Sequence, residues 1–246
     1  MSTQKIALIT GSTQGLGLEL AKSLNEHDIR LILTGRSQPK LEIALNQLSQ
    51  QKKHIALQCD LNNDEDLKNM IDALKTQAIY PNIIIHNLGQ RLEDDKFPLG
   101  RDVLKNSIKF NLEIALELNN AFIPDMIKNK FGRIIHISSD SSLTGKCSPA
   151  YAAAKSAVNA YVKSAARYYT KHNVMFCAIL PGIFEHEGSG WAKKKYEEPE
   201  VYQQRMLQMP LGRFAHPAEI ASYITDLVCN KSIMSAGSLI ELTGGY

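Results

Sequence analysis

Seven short apolar runs separated by helical stretches constrain the fold of this chain more than any other feature. They stand at 6–10, 31–34, 54–58, 82–86, 133–137, 174–180 and 238–242. Apolar residues at helical spacing fill the gaps, over 16–24, 41–51, 64–75, 103–128, 151–169 and 217–229. Near-continuous Ile, Val and Leu in so few residues suits strands buried on both faces. Such strands alternating with helices imply a parallel sheet with helices on both sides. No repeat, low-complexity tract or change of composition marks a boundary, so the expectation is one doubly wound α/β domain over 1–246.

In sheets of that class ligands bind outside the carboxyl ends of the strands, so the residues just after each strand are the informative ones. After the first comes Thr10-Gly11-Ser12-Thr13-Gln14-Gly15-Leu16-Gly17, and Leu16, Leu20 and Leu24 then begin a helical stripe. A glycine-rich turn that aims helix N-terminal amides at its own cavity is built for pyrophosphate, although such a turn can also be purely structural. The second strand ends in Thr34-Gly35-Arg36-Ser37. An acid there would hold a ribose 2′-hydroxyl, whereas an arginine accommodates a 2′-phosphate, so Arg36 favours NADP over NAD. The alternative for Arg36 is an exposed side chain in a polar turn. Asp60, followed by Leu61, could accept a hydrogen bond from an adenine amino group or cap the helix starting near Asp64. The fourth strand ends in His86-Asn87-Leu88-Gly89, where His86 reads as a satisfied strand-end histidine and the rest as a turn that could pass under a cofactor. Asn111 stands between Phe110 and Leu112 in a helical stretch, where asparagine is unfavourable unless its amide is used.

The fifth strand opens the segment Ser138 to Lys155. Tyr151 and Lys155, four apart, lie on one helix face, and the ammonium is expected to pull the phenol below its usual pKa of about 10. A phenol so tuned can protonate an alkoxide or deprotonate an alcohol near neutral pH. Tyr and Lys at this spacing also occur by chance, as a packed ring beside a solvated lysine. The hydroxyls of Ser138 and Ser139 at a strand end just upstream give the pair its weight.

Taken together, these signposts resemble the short-chain dehydrogenase/reductase family over essentially the full length. They are Thr10-Gly11-(x)3-Gly15-x-Gly17, Asp60, Asn87-x-Gly89, Asn111, Ser139, Tyr151-(x)3-Lys155, Pro181-Gly182 and Gly244-Gly245-Tyr246. Gly212-Arg213-Phe214 and the following 217–221 fit the same pattern. The resemblance implies a Rossmann domain, NADP as coenzyme and hydride transfer at a carbonyl, much as in the 3-oxoacyl-carrier reductases of this family. It implies Tyr151 as proton donor or acceptor and Lys155 as the group that lowers its pKa and holds the nicotinamide ribose. Ser139 would contact the substrate carbonyl, with Ser138 as its rival, and Asn111 would hold a water linking Lys155 to solvent. Coenzyme contacts fall on Gly11, Ser12, Thr13, Gly15, Leu16, Gly17, Arg36, Ser37, Asp60, Leu61, Asn87, Leu88, Gly89, Pro181, Gly182 and Phe184. The sequence departs from the pattern at four places. One residue is missing between Ser139 and Tyr151, Leu88 replaces a smaller alanine, and Thr243 replaces an aspartate. After Pro181-Gly182, Glu185 or His186 falls where a threonine is usual.

A polar stretch over 183–209 holds the single Trp191, the basic run Lys193, Lys194 and Lys195, and then Glu197, Glu198 and Glu200. It reads as a lid over the substrate. Glu185 and His186 are its candidate substrate contacts because they follow a strand. Trp191 is a third, and the lysines suit either an anionic substrate or a surface where opposite charges cancel. The partner expected is a small-molecule or carrier-linked carbonyl compound. Alternatives are a sugar or nucleotide-sugar oxidoreductase and a catalytically silent NADP-binding sensor. A net charge of +3 over 28 basic and 25 acidic residues suggests no nucleic-acid partner. The polar first residues, the short apolar runs and four cysteines without metal spacing suggest a cytoplasmic protein with no membrane segment and no metal. Apolar residues on more than one face of the helices at 103–128 and 151–169 suggest that they also meet another subunit of a homo-oligomer, and the family resemblance implies a tetramer, or a dimer, with these helices at its interface.

Overall fold

A computed structural model describes residues 4–246. Seven parallel strands form one sheet in the order β3-β2-β1-β4-β5-β6-β7. They are β1 (Lys5–Ile9), β2 (Ile29–Gly35), β3 (Ile55–Gln58), β4 (Ile83–His86), β5 (Gly132–Ile137), β6 (Val174–Pro181) and β7 (Leu239–Leu242). The helices are α1 (Gly15–Asn25), α2 (Gln38–Asn46), α3 (Asp64–Thr76), α4 (Arg101–Ile108), α5 (Ile114–Lys128), α6 (Ser141–Thr144), α7 (Pro149–Tyr169), α8 (Gly190–Glu197), α9 (Pro199–Leu207) and α10 (Pro217–Cys229).

Alternate strand residues feed two cores, because side chains of a strand point to opposite faces. Ala7, Ile9, Leu31, Leu33, Ile83, Ile85 and Ile135 pack against α1, α2 and α10. Leu8, Ile32, Ile84, Ile134 and Phe176 pack against α3, α5 and α7. Every residue of β6 is buried, as a central strand covered on both faces requires. The single doubly wound domain expected from the strand–helix alternation is therefore the observed fold. Strand order reverses between β1 and β4, and sheets of this topology bind ligands in the crevice at such a reversal. No helix of the described residues is long and apolar enough to cross a membrane.

Three differences from the sequence expectation have local causes. The helix expected over 103–128 begins at Arg101 and is broken by a π-turn over Lys109–Glu113, leaving α4 and α5 as separate elements. The helix expected over 41–51 starts earlier, at Gln38, with Pro39 in its first turn, and ends at Asn46. The stretch 183–209, expected as a polar lid with no helix assigned, carries α8, capped by the Ser189 side chain at Ala192 N, and α9, with Pro199 in its first turn. Neither lid helix buries a whole residue, so neither has an apolar stripe for the eye to find.

Candidate active site

The turn between β1 and α1 is held from below by hydroxyls and one amide. Ser12 Oγ accepts from Thr34 N at 2.9 Å, and Gly11 N donates to Thr34 Oγ1 at 3.3 Å. Asn87 Nδ2 donates to the carbonyls of Thr10 and Gly11, each at 3.0 Å, and Thr10 Oγ1 accepts from the Asn87 and Leu88 amides. Gly11 and Gly15 sit at φ +64° and +55°, the left-handed region that glycine tolerates. The result is a cleft of about 640 Å3 lined by Gly11, Thr13, Gly15, Leu16, Arg36, Ser37, Asp60, Leu61, Asn87, Leu88, Gly89 and Phe184. Ser12 and Gly17, expected among the coenzyme contacts, are not on its wall. Ser12 is fully buried against β2, and a β-carbon on Gly17 would run into the Gly11 carbonyl oxygen. Both shape the turn from beneath.

Asp60 lies on the cleft wall, and its carboxylate accepts from Asn62 N. It does not cap α3; Asn63 does, accepting from Glu65 N and Asp66 N. Lys40, which sequence reasoning missed, joins Arg36 on the wall from the first turn of α2. Its spacing from Arg36 was the available signal. The cleft therefore offers a glycine cradle at one end and two cations at the other, a donor set that fits a dinucleotide bearing an extra phosphate.

Next to it lies a pocket of about 270 Å3 lined by Ser138, Ser139, Tyr151, Lys155, Pro181, Gly182 and Trp191, which shares Asn87, Gly89 and Phe184 with the cleft. The Ser139 hydroxyl donates to Asp140 Oδ1 at 3.1 Å and accepts from Ser141 N at 3.2 Å, and its nearness to the Tyr151 phenol works against the rise that burial causes there. Ser138 is drawn away into α7, where its hydroxyl lies 2.7 Å from Asn159 Oδ1 and 3.2 Å from the Lys155 carbonyl. Lys155 is buried, its Nζ donates to the Ile137 carbonyl at 2.7 Å, and burial pushes its ammonium down to about 8. A β-carbon at Gly89 would lie 2.9 Å from that Nζ and 3.2 Å from Asn111 Oδ1, so a larger residue there would force the lysine end to shift. Asn111 Nδ2 donates to the carbonyls of Ser107 and Gln90 at 3.0 Å, and Oδ1 accepts from Gln90 N. The π-turn thus spends the asparagine amide on clamping the chain beside Gly89, a frequent use of such turns at functional sites.

The expected lowering of Tyr151 by Lys155 is not what the structure gives. Burial raises the phenol, and the cation that counteracts it first is Arg91, whose guanidinium carbon stands 5.2 Å from the Tyr151 ring centroid. Lys155 is itself so desolvated that it sheds its proton before the phenol would ionise. Arg91 carried no sequence signal, being one charge in a polar loop.

Asp95 was missed for the same reason. This buried carboxylate accepts from Ala150 N at 2.7 Å and Tyr151 N at 2.9 Å, capping α7 from a distant loop. Asp95→Ala leaves two helix amides unpaired at the residue that carries the phenol. The expected loss is about 2–4 kcal/mol of stability in a denaturant titration, with partial rescue by Asp95→Asn. Unchanged stability would show that the helix start does not depend on this carboxylate.

Other candidates fall apart from the pocket. Glu185 faces the lid, accepting from Tyr202 OH at 2.5 Å with Lys195 at 3.8 Å. His186 lies over the glycine turn, its Nε2 2.9 Å from where a β-carbon on Gly15 would stand, and stacks on Phe184. Trp191 does line the pocket and packs on Phe214. His86 is a satisfied core histidine, with Nε2 2.8 Å from Asn119 Oδ1 and burial pushing it down to about 4.

A seven-stranded parallel sheet with a nucleotide-sized cleft at its switch point, joined to a small pocket holding Ser, Tyr and Lys, defines a dinucleotide-dependent oxidoreductase fold. Residues 5–197 match the short chain dehydrogenase family, and the chain belongs to it. It is an enzyme of that family. The chain is 28% identical to the 3-oxoacyl-[acyl-carrier-protein] reductase FabG of Aquifex aeolicus, over 98% of this chain and 96% of the relative. It is 27% identical to the FabG of Vibrio cholerae, with the same coverage. Its fold is similar to that of the L-sorbose reductase of Gluconobacter frateurii complexed with NADPH and L-sorbose, with a TM-score of 0.89 at 22% identity over 99% of this chain and 96% of that one. A 3-oxoacyl (acyl-carrier-protein) reductase from Agrobacterium tumefaciens with NADP bound gives 0.86 at 25% identity, over 98% and 94%.

Proposed function

We propose that this enzyme is an NADP-preferring reductase of a ketone, or dehydrogenase of the matching secondary alcohol, with Tyr151 as general acid and base. The observation that carries the reading is the shared wall: Ser139, Tyr151 and Lys155 meet in one pocket that opens through Asn87, Gly89 and Phe184 onto the dinucleotide cleft. The substrate is a small-molecule or carrier-linked carbonyl compound, and the relatives that reduce 3-oxoacyl carriers and a sugar support that range. A homo-oligomer, with α5 and α7 at its interface, and a cytoplasmic location complete the proposal.

NADPH bound in the cleft supplies a hydride at its nicotinamide ring. Gly11, Thr13, Gly15 and Leu16 would receive its pyrophosphate, Arg36, Ser37 and Lys40 its 2′-phosphate, and Asp60 and Leu61 its adenine. Pro181, Gly182 and Phe184 would bound the nicotinamide side. Lys155, charged below about 8, would hold the ribose hydroxyls from its place under Gly89. Ser139 donates a hydrogen bond to the substrate oxygen, where negative charge develops as the carbonyl is reduced. Tyr151 holds its proton, because burial keeps the phenol neutral, and releases it to that oxygen. Arg91 stabilises the phenolate left behind.

Following NADPH oxidation across a panel of ketones, 3-oxoacyl thioesters and ketoses included, tests the reading; no turnover of any of them would overturn it. The coenzyme preference has its own test. Arg36→Ala is expected to weaken NADPH binding about 10- to 100-fold and to leave NADH within a few-fold, since one charge-assisted phosphate contact is lost. Equal affinities for both coenzymes in the wild type would defeat the preference.

A further inference from the structure

Two of the three lysines in the basic run that stands out in the sequence are paired with acids in the fold. Lys194 pairs with Glu198 at 2.5 Å, and Lys195 lies 3.8 Å from Glu185. Three other cations line the Tyr151 pocket instead: Arg91 from the loop after β4, Lys146 from the loop before α7, and Arg205 from α9. None of the three takes part in an ion pair among the described residues. Tyr246 gathers two of them. Arg205 donates to its hydroxyl at 2.7 Å with the guanidinium carbon 5.2 Å from the ring centroid, and Lys146 Nζ is 5.6 Å from the same ring. Arg91 stands over Tyr151 itself.

Among the described residues Asp140 is the one acidic side chain on that wall, and the hydroxyls of Ser139 and Ser141 donate to it at 3.1 and 3.3 Å. Arg91, Lys146 and Arg205 come from three segments to join Lys155 in one small pocket, where like charges repel each other and a single acidic side chain stands against them. An anionic group placed in the pocket would relieve that repulsion.

Accepting the reductase reading, we infer that the substrate is a compact oxo acid: a ketone that carries a carboxylate or a phosphate. Its carbonyl faces Ser139 and Tyr151, and its anionic group faces Arg91, Lys146 and Arg205. Arginine offers paired donors in a fork that matches either group. At about 270 Å3 the pocket is smaller than most sites for large organic ligands, which suits a short molecule.

The test compares 2- and 3-oxo acids, ketones bearing a phosphate monoester, and the neutral methyl esters or amides of the same skeletons. NADPH oxidation at low and high salt gives kcat/KM for each. In parallel, calorimetry measures binding of the same compounds to NADPH-loaded Tyr151→Phe, which needs no turnover. The anion is expected to exceed its neutral twin at least about tenfold in either measurement, less at high salt. Lys146→Glu and Arg205→Gln, checked for folding by circular dichroism, should each shrink that ratio about tenfold or more. Whether carboxylate or phosphate leads identifies the acid. Neutral twins reduced and bound as well as the anions overturn the inference and leave the reductase reading standing. Anion-selective binding with no ketone turned over does the reverse. A ratio that the two variants leave unmoved also overturns it, because the selectivity then lies elsewhere.

Discussion

Tyr151→Phe is expected to lower kcat for ketone reduction by about 10²–10⁴-fold, the range spanned by a positioned general acid. The substitution removes one oxygen from a ring packed beside Ser139 and Arg91, so the fold and the pocket shape stay as they are. A variant that keeps most of the wild-type rate with a genuine substrate would assign the proton to another group. The pH profile adds a second reading. Lys155 is pushed down to about 8 by burial, so it is charged below that pH and loses its proton as pH rises through it. Reductive kcat/KM should therefore be level near neutrality and fall above about pH 8, and Lys155→Met should abolish that limb along with most of the rate. A limb that persists in the lysine variant belongs to a different group.

Gly17→Ala is expected to be nearly as damaging, through the fold instead of the chemistry. The added β-carbon would meet the Gly11 carbonyl oxygen and lie 2.7 Å from Asn87 Nδ2 and 2.9 Å from Ser12 Cα. Those atoms are backbone or are fixed by hydrogen bonds to it, so no flexible side chain can swing aside. The expected cost is about 3 kcal/mol or more in a denaturant titration. Coenzyme binding should be lost as well, because Gly11 would be pushed into the cleft. Stability within experimental error of wild type would mean that α1 can move outward, and the tight packing of turn on helix would then not be a constraint.

Much of this was legible in the residues. The seven strands were found because apolar runs buried on both faces differ sharply from amphipathic helices. Their order made the crevice above β1 and β4 a necessity of topology. Tyr151, Lys155, Ser139 and the glycine turn were found because each is local: spacing along one helix, a strand end, a strand-to-helix turn. Asn111 shows an intermediate case. Its misfit in a helix was visible, but the π-turn that makes use of it depends on the Gln90 backbone, 21 positions away. Asp95 left no trace at all, since its partner amides lie 55 and 56 positions on.

The sequence by itself determined the architecture and pointed to the side chains of the candidate site, because hydrophobic period and residue chemistry are properties of short windows. Tertiary structure alone decided the electrostatics. Burial set the protonation of Lys155, Arg91 came to stand over the Tyr151 ring alongside Lys155, and two of the three lid lysines were paired with Glu185 and Glu198. Arg91, Lys146 and Arg205, unremarkable where they stand in the chain, became one cationic wall. The reason is that a charge acts through distance and dielectric, and both exist only once the chain has folded.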